Sequence, residues 1–566
     1  MAMVCASGVF DPRGERAMRA RDLFCCGHRH RSSRRREIRG FCAAAARILV
    51  PVEECIERMR DALGIENVEG ECADKFITMT GKQWFMDMKG DYKFTWCADG
   101  RFHERFKGEH FTVEWAHDGR NTWYADFAGR VTKLQLDSLE LCLLTAWIRN
   151  GYWLTAEGQE KLSIKHRTDA GDLPVAVNPR MQILDVKIKE FDKVVASVVV
   201  DSVSFLPSRL VAKVCGEIES WGYSDWQTLE PECKCQVPLS VAHVTSSGSI
   251  DSIFVSCSKV GSNEDSSVFV LPSSRFLPRD GVYPHAEFDA GVSPNVKLFG
   301  CESGHCLVRP LVDGQDIGYF LLDTGASGLM IDANKTRELG MEGFGEVHLL
   351  GVETRVRSRF VRGKQFQIGG LKIVNPIYIE TSVRGVGETA EAIIGVCGFD
   401  LFFHCVIEMS VSKGLLCVFD PASYVPSSNL QWQEMILLDN LPYVPAKING
   451  HQVLLLLDTG AGGADVILHA RAAREYFPGI DERLQCGSVK ESSSGGGGLV
   501  AGTGEIQTLE FGGFVFEKLE ALFLRYKVGN LDVSQYTAGL LCGRLLKTCL
   551  IVLDYQNSRF GLLSWK

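Results

Sequence analysis

The sequence predicts a mainly β protein whose C-terminal part consists of two similar strand-rich units, preceded by an α+β domain built on an antiparallel sheet. Three observations carry this. The tetrapeptide Asp-Thr-Gly-Ala occurs twice, at Asp323 to Ala326 and at Asp458 to Ala461, each time at the end of a strongly apolar strand. The segments before the two copies share one plan: a short strand, a D-G or N-G turn at Gly314 or Gly450, then a second strand running into the aspartate, which is the pattern of a hairpin. From about Lys75 to Val260, short runs that mix apolar and polar residues at a period of two surround a single helical stretch.

At 566 residues the chain exceeds what one core sustains, and two to four domains are expected. The reading places a basic leader or disordered tail at 1–50, the α+β domain at 75–260, a linker at 261–300, and the two C-terminal units at 301–422 and 423–566. Residues 1–50 hold eleven arginines, no lysine and four acidic residues. An Arg-rich, acid-poor leader fits an organellar transit segment; a disordered basic tail on a cytoplasmic protein is the other reading, and both stay open. A secretory signal fits poorly, because the apolar run Phe41 to Val50 is short and interrupted by Arg47.

In the N-terminal domain, Lys82 to Met88, Asp91 to Trp96 and Phe111 to Trp115 read as half-buried strands separated by glycine turns. Leu134, Leu136, Leu139, Leu143, Leu144, Trp147 and Ile148 lie on one face of a helix that Gly151 stops. More strands follow, at Met181 to Ile188, Val194 to Val200 and Ser249 to Ser256. Residues 261–300 are rich in Ser, Pro, Asp and Gly, which predicts a linker with short extended pieces.

The net charge of -9 and the lack of a basic, aromatic-interleaved stripe beyond the leader argue against nucleic acid as a partner. No apolar stretch reaches the roughly 20 residues a membrane-spanning helix needs. The 20 cysteines are scattered. Cys25-Cys26, Cys233-x-Cys235 and Cys301-x4-Cys306 are the close groups, none at zinc spacing, so neither metal nor cofactor is expected. Reduced thiols are the main reading, and Cys301 with Cys306 is the pair to inspect for a disulfide.

Each Asp-Thr-Gly has a chemical rationale. The aspartate supplies a carboxylate, the threonine can hydrogen-bond across to the other copy, and the glycine permits the close approach of two loops. Two carboxylates in one site cannot both ionise cheaply, so one keeps a proton. The protonated member polarises a peptide carbonyl while the charged one draws a proton from a water held between them. Asp323 and Asp458 are therefore the candidate catalytic residues, with Thr324, Gly325, Ser327, Thr459, Gly460 and Gly462 as loop support.

On these motifs, residues 301–566 resemble the retropepsin-like aspartyl proteases, as two fused units in one chain. The resemblance implies a bilobed fold of two β-barrel units and an aspartic endopeptidase acting on peptide or protein substrates with an acidic to mildly acidic optimum; the duplication within one chain favours a monomeric catalytic unit over pairing of Asp323 with that of a second copy, because the internal partner has the higher effective concentration. It also implies a glycine-containing loop bracing each active loop. In the first unit this is G-V-C-G-F-D-L-F, with Gly395, Gly398 and Asp400; in the second it is G-L-L-C-G-R-L-L, with Gly539, Cys542 and Gly543. Ungapped alignment sets Cys542 where Gly398 stands and Arg544 where Asp400 stands, so the second brace is altered. The family's Ser donor to the aspartate is present as Ser327, but Gly462 replaces it in the second loop, which should leave Asp458 the member that holds the shared proton.

The resemblance further implies a flap over each half. The first is placed at Glu353 to Gln367, with Arg357, Arg359 and Gly363; the second near Cys486 to Thr508, with Gly495 and Gly498. The basic run on the first flap reads as a solvated face, with selection of acidic substrates as the alternative. The segments D-G-x-x-x-W-x-x-D-x-x-G from Asp118, R-N-G-Y-W from Arg149 and D-W-Q from Asp225 are similar to the module that precedes such proteases, itself similar to half-barrel lipoprotein carriers. That likeness implies an apolar ligand in the concavity; a scaffold filled by its own side chains is the other reading. A catalytically inactive peptidase-like fold that binds peptide or lipid is the alternative for the whole chain.

Overall fold

The structure, a computed structural model, describes residues 3–4, 50–167, 173, 181–214, 217–229, 233–245, 248–261, 266–350, 355–382, 392–480, 489–494, 497–526 and 534–564. The protein is mainly β-strand. The remainder of residues 1–49, where a leader or tail is expected, residues 351–354 and Gly495 lie outside the described residues. None of the described helices is long and apolar enough to cross a membrane.

The N-terminal half is a 13-stranded antiparallel sheet, with Phe76–Phe85 and Ile250–Gly261 paired in its middle. Two helices that the periodicity did not reveal, Val52–Leu63 and Ile65–Glu69, precede it. The predicted amphipathic helix spans Leu136–Arg149 and ends just before Gly151, whose φ of 81° only glycine adopts readily. Leu143, Leu144, Trp147 and Ile148 pack with Phe94, Trp96, Phe102 and Trp153 in one core. The sheet's inner face is thus largely filled by the domain's own side chains.

A cavity of about 240 Å³ remains between this sheet, the helix and the turn Leu437–Asn440. Its wall mixes Phe85, Trp115, Tyr124 and Trp221 with the Glu104–Arg149 ion pair and with Glu219, His243 and Asp251. It is therefore not the plain apolar hollow expected for a lipid-holding half-barrel.

The stretch expected as a linker carries strands of the following sheets. His285–Phe288 pairs with Leu371–Val374, and Asn295–Lys297 pairs with Leu415–Phe419. It also binds back to the N-terminal sheet, where Trp123 Nε1 donates to the Phe269 carbonyl at 2.9 Å and Leu277 N donates to Gly129 O at 2.7 Å.

Each Asp-Thr-Gly sits in a sheet of the same local topology. Strand Tyr319–Leu322 runs parallel to Ile393–Cys397, which is antiparallel to Met330–Asp332, which is parallel to Ile377–Thr381. Likewise His451–Asp458 runs parallel to Gly539–Cys542, which is antiparallel to Val466–Leu468, which is parallel to Phe514–Leu524. A six-stranded sheet joins the two, because Val406–Ser410 pairs with Cys549–Asp554. Phe320, Leu322, Leu455 and Leu457 belong to one continuous core beneath both Asp-Thr-Gly loops.

Candidate active site

The parallel pairing of each aspartate strand with its bracing strand delivers the two loops to one point. Both aspartates are fully buried. A β-carbon on Gly325 would lie 2.6 Å from the Asp458 carboxyl carbon, and one on Gly460 would lie 2.3 Å from that of Asp323. Any side chain at either glycine would collide with the opposing acid, so the two acids face each other across the pair of glycines.

The threonines lock this arrangement. Thr324 Oγ1 donates to the Leu457 carbonyl at 2.6 Å and accepts from Thr459 N at 3.0 Å. Thr459 Oγ1 donates to the Leu322 carbonyl at 2.8 Å and accepts from Thr324 N at 3.0 Å. Gly325 N donates to Asp323 Oδ1 at 2.8 Å, and Gly460 N to Asp458 Oδ1 at 2.9 Å. Burial, then the neighbouring Asp323 charge and hydrogen bond, push the Asp458 carboxyl well above the usual carboxylate range.

The expected Ser327 donation to Asp323 is not made: Ser327 Oγ is buried and makes no hydrogen bond within the protein. The contrast with Gly462 is therefore no basis for assigning the proton to one aspartate. What raises Asp458 is burial and its partner acid. The space at position 462 is filled from outside, since a β-carbon there would lie 2.7 Å from His305 Cε1. His305 Nε2 donates to Gly460 O at 3.1 Å while Nδ1 accepts from Ser303 Oγ at 2.7 Å. Gly463 N donates to Ser303 O at 3.2 Å, and Lys547 Nζ holds the carbonyls of Cys301 and Glu302. This clamp went unread in the sequence, where Cys301 to Cys306 drew notice for its thiols, which the structure does not join in a disulfide. No sequence signal pointed to it, since His305 meets Gly462 only in the fold.

The braces differ in chemistry but place the same backbone bond. Phe399 N donates to Ala326 O at 2.9 Å, and Gly543 N donates to Ala461 O at 3.0 Å, the matching carbonyl of the second loop. Gly398 cannot carry a side chain, because a β-carbon would lie 2.4 Å from Gly328 O, whereas Cys542 occupies the matching place with its amide on Asp465 O at 3.0 Å. Gly395 lies against the Phe320 ring and Gly539 against the Ile467 carbonyl. Arg544 makes a two-pronged ion pair with Asp465, at 2.9 and 3.0 Å. Asp400 Oδ2 instead accepts from Leu329 N at 2.7 Å, and its other oxygen pairs with Arg130 of the N-terminal sheet. Arg130 also pairs with Asp126 at 2.7 Å, and all three groups are buried.

The first flap segment requires correction. Glu353 to Gln367 is not one hairpin: Arg355–Arg362 pairs back onto Gly343–Leu350, while Gln365–Ile368 continues into another sheet. Gly363 lies at that junction, with a would-be β-carbon 2.9 Å from the Tyr378 ring, and not at a tip. The basic run has local partners, Arg357 with Glu346 and Arg359 with Glu380, so it acts first within the fold. Gly498 lies in Gly497–Phe511, paired with Val489–Ser494, so the second segment does form a hairpin. Among the described residues no cluster of His, Cys, Asp and Glu is arranged to hold a metal ion.

The sequence model of the aspartyl protease family matches residues 308–396 and 444–542, each segment containing one Asp-Thr-Gly-Ala. A comparison with curated proteins gave no significant match. Among solved structures, the chain is similar to an outer membrane lipoprotein-sorting protein domain from Vibrio parahaemolyticus, at 12% identity over 38% of this chain and 96% of that one. The TM-score is 0.26, too low to support an argument.

Proposed function

We propose that the chain is an aspartic endopeptidase in which Asp323 and Asp458, one from each of two retropepsin-like lobes of a duplicated unit, activate a water for attack on a peptide carbonyl. The observation that carries this is the reciprocal approach of each carboxylate to the glycine of the other loop, fixed by crossed threonine hydrogen bonds. Two buried acids at one point share a proton, which supplies a general acid and a general base side by side. The threonine lock keeps both within the small tolerance that such chemistry demands, since about 1 Å of misplacement costs roughly 100-fold in rate.

The test is cleavage of an unbiased peptide library by the wild type, Asp323→Asn and Asp458→Asn across acidic to neutral pH, read by mass spectrometry. Cleavage lost in both variants is the expected result. No cleavage by the wild type, nor by chains loosened at the domain contact, would transfer the weight to an inactive peptidase-like fold that binds peptides. A statine-type analogue bound by the wild type and not by Asp323→Asn would add support, because such compounds bind tightly where a transition state is stabilised.

A further inference from the structure

Alternate residues of a strand face opposite sides, so Leu321 shares a face with Asp323 while Leu322 points into the common core. Leu321 belongs to a separate cluster with Ala326, Met330, Val347 and Val396, and this cluster is completed from the N-terminal sheet by Phe85, Met88, Phe106, Phe111, Tyr124 and Phe127. On the second half, Leu456 shares a face with Asp458, and Leu136 of the N-terminal domain packs against its cluster. The side of the molecule that carries both acids therefore lies under the N-terminal domain.

The contact is specific at one turn. Phe85 and Met88 pair across a two-residue hairpin turn whose central residues, Met86 and Asp87, both have positive φ, at 53° and 58°. Met86 O accepts from Glu346 N at 2.7 Å. Strand Gly343–Leu350 is bulged between Phe344 and Val347, which leaves Gly345 and Glu346 out of the pairing with Arg355–Arg362. Gly345 makes room for the turn, since a β-carbon there would lie 2.9 Å from Met88 Cε. A backbone N–H that a bulge leaves out of its strand's own pairing, beside a cluster of large apolar side chains, can receive a peptide as a sheet edge does.

Polar contacts hold the rest of the domain in place. Arg130 reaches Asp400, Ser138 Oγ donates to Asp439 at 2.7 Å, and Tyr536 donates to Glu140 at 2.6 Å.

We propose that the Phe85–Met88 turn occupies the peptide groove of the Asp323 half, so that the N-terminal domain holds the peptidase closed, and that the groove's substrates are segments presenting large apolar side chains such as Phe or Met opposite Glu346. This rests on the peptidase reading. Peptide enters when the domain lifts, and the cleavage rate follows the open fraction.

The test uses the full-length chain with two loosening substitutions on different elements. Met88→Asp places a charge in the groove, and Ser138→Asp sets a carboxylate against Asp439. Hydrogen exchange at the Glu346 amide reports opening without reference to activity. Both variants should exchange faster there and show kcat/KM raised roughly tenfold or more over wild type, in proportion to the open fraction. A linear peptide of residues 82–91 should inhibit the opened chains, and its version with Ser at Phe85 and Met88 should not.

Faster exchange with an unchanged rate overturns the inference. So does a fall in kcat at constant KM, which would make the domain a support for the acid pair through Arg130 and Asp400. Faster exchange with no cleavage by any chain defeats the peptidase reading itself, and the inhibition with it, while the packing of the turn stands.

Discussion

His305 Nε2 donates to the carbonyl oxygen of Gly460 at 3.1 Å, and its ring fills the space that a side chain at position 462 would need. The second Asp-Thr-Gly loop is thus supported by a residue from the unit that carries the first. Gly462→Ser, which restores the first loop's residue, should destabilise by about 1–3 kcal/mol through overpacking. Adding His305→Ala should recover part of that loss, so the pair will be non-additive. Urea unfolding of the two single variants and the double checks this, and strict additivity would deny the contact.

Thr324 and Thr459 each satisfy two buried backbone groups of the opposite loop. Thr324→Ala leaves Leu457 O and Thr459 N short of a partner, at about 1–3 kcal/mol for each unsatisfied group. Thr324→Ser keeps the hydroxyl and should lose much less. Thermal unfolding separates the two, and equal losses would show that the methyl group, not the hydrogen bonds, matters.

The Asp458 carboxyl is pushed up in the folded state by burial first and Asp323 second. A carboxyl with a raised folded pKa binds more protons when native than when unfolded. Its contribution is full below the unfolded pKa of about 3.9 and is lost as pH rises through the folded value. Asp458→Asn has no such proton to lose. The stability of wild type relative to Asp458→Asn should therefore fall as pH rises from about 4 through the raised folded value. A flat or rising difference in urea midpoints would contradict the raised pKa.

Arg130 is buried between Asp126 and Asp400. Arg130→Met strands two carboxylates and should cost about 3–5 kcal/mol. Neutralising the partners as well, in Arg130→Met with Asp126→Asn and Asp400→Asn, should recover most of it. If the triple variant is as unstable as the single one, the loss comes from packing and not from charge.

The exposed Arg357 and Arg359 pair with the half-buried Glu346 and Glu380. Reversing both charges should change kcat/KM for acidic and neutral peptides alike, because the arginines serve the hairpin. A loss confined to acidic peptides would restore them as substrate contacts.

The candidate site was largely legible because it is written in short, local patterns. A strand, a turn and an Asp-Thr-Gly repeat in order, and each landmark carries its own reason for being there. The helix Leu136–Arg149 was legible for the same reason, its apolar face recurring at the helical period. The strand pair of Gly343–Leu350 with Arg355–Arg362 was not read in the expected segment Glu353 to Gln367, because its first strand has glycines and a bulge in place of clean alternation. The stretch 261–300 looked like a linker because its Ser, Pro and Gly content masks the three- and four-residue strands Asn295–Lys297 and His285–Phe288 that complete other sheets.

The sequence by itself determined the strand-rich class, the two aspartate loops and the chemistry that two carboxylates can perform, since these depend on residue type and near-neighbour spacing. Only the tertiary structure decided that His305 stands in for a side chain missing at Gly462, that Arg130 reaches Asp400, and that the turn at Met86 meets the amide of Glu346. The physical reason is that these contacts join residues far apart in the chain. Their energies come from burial, charge pairing and close packing, which exist once the sheets have closed over one another and leave no period in the sequence to read.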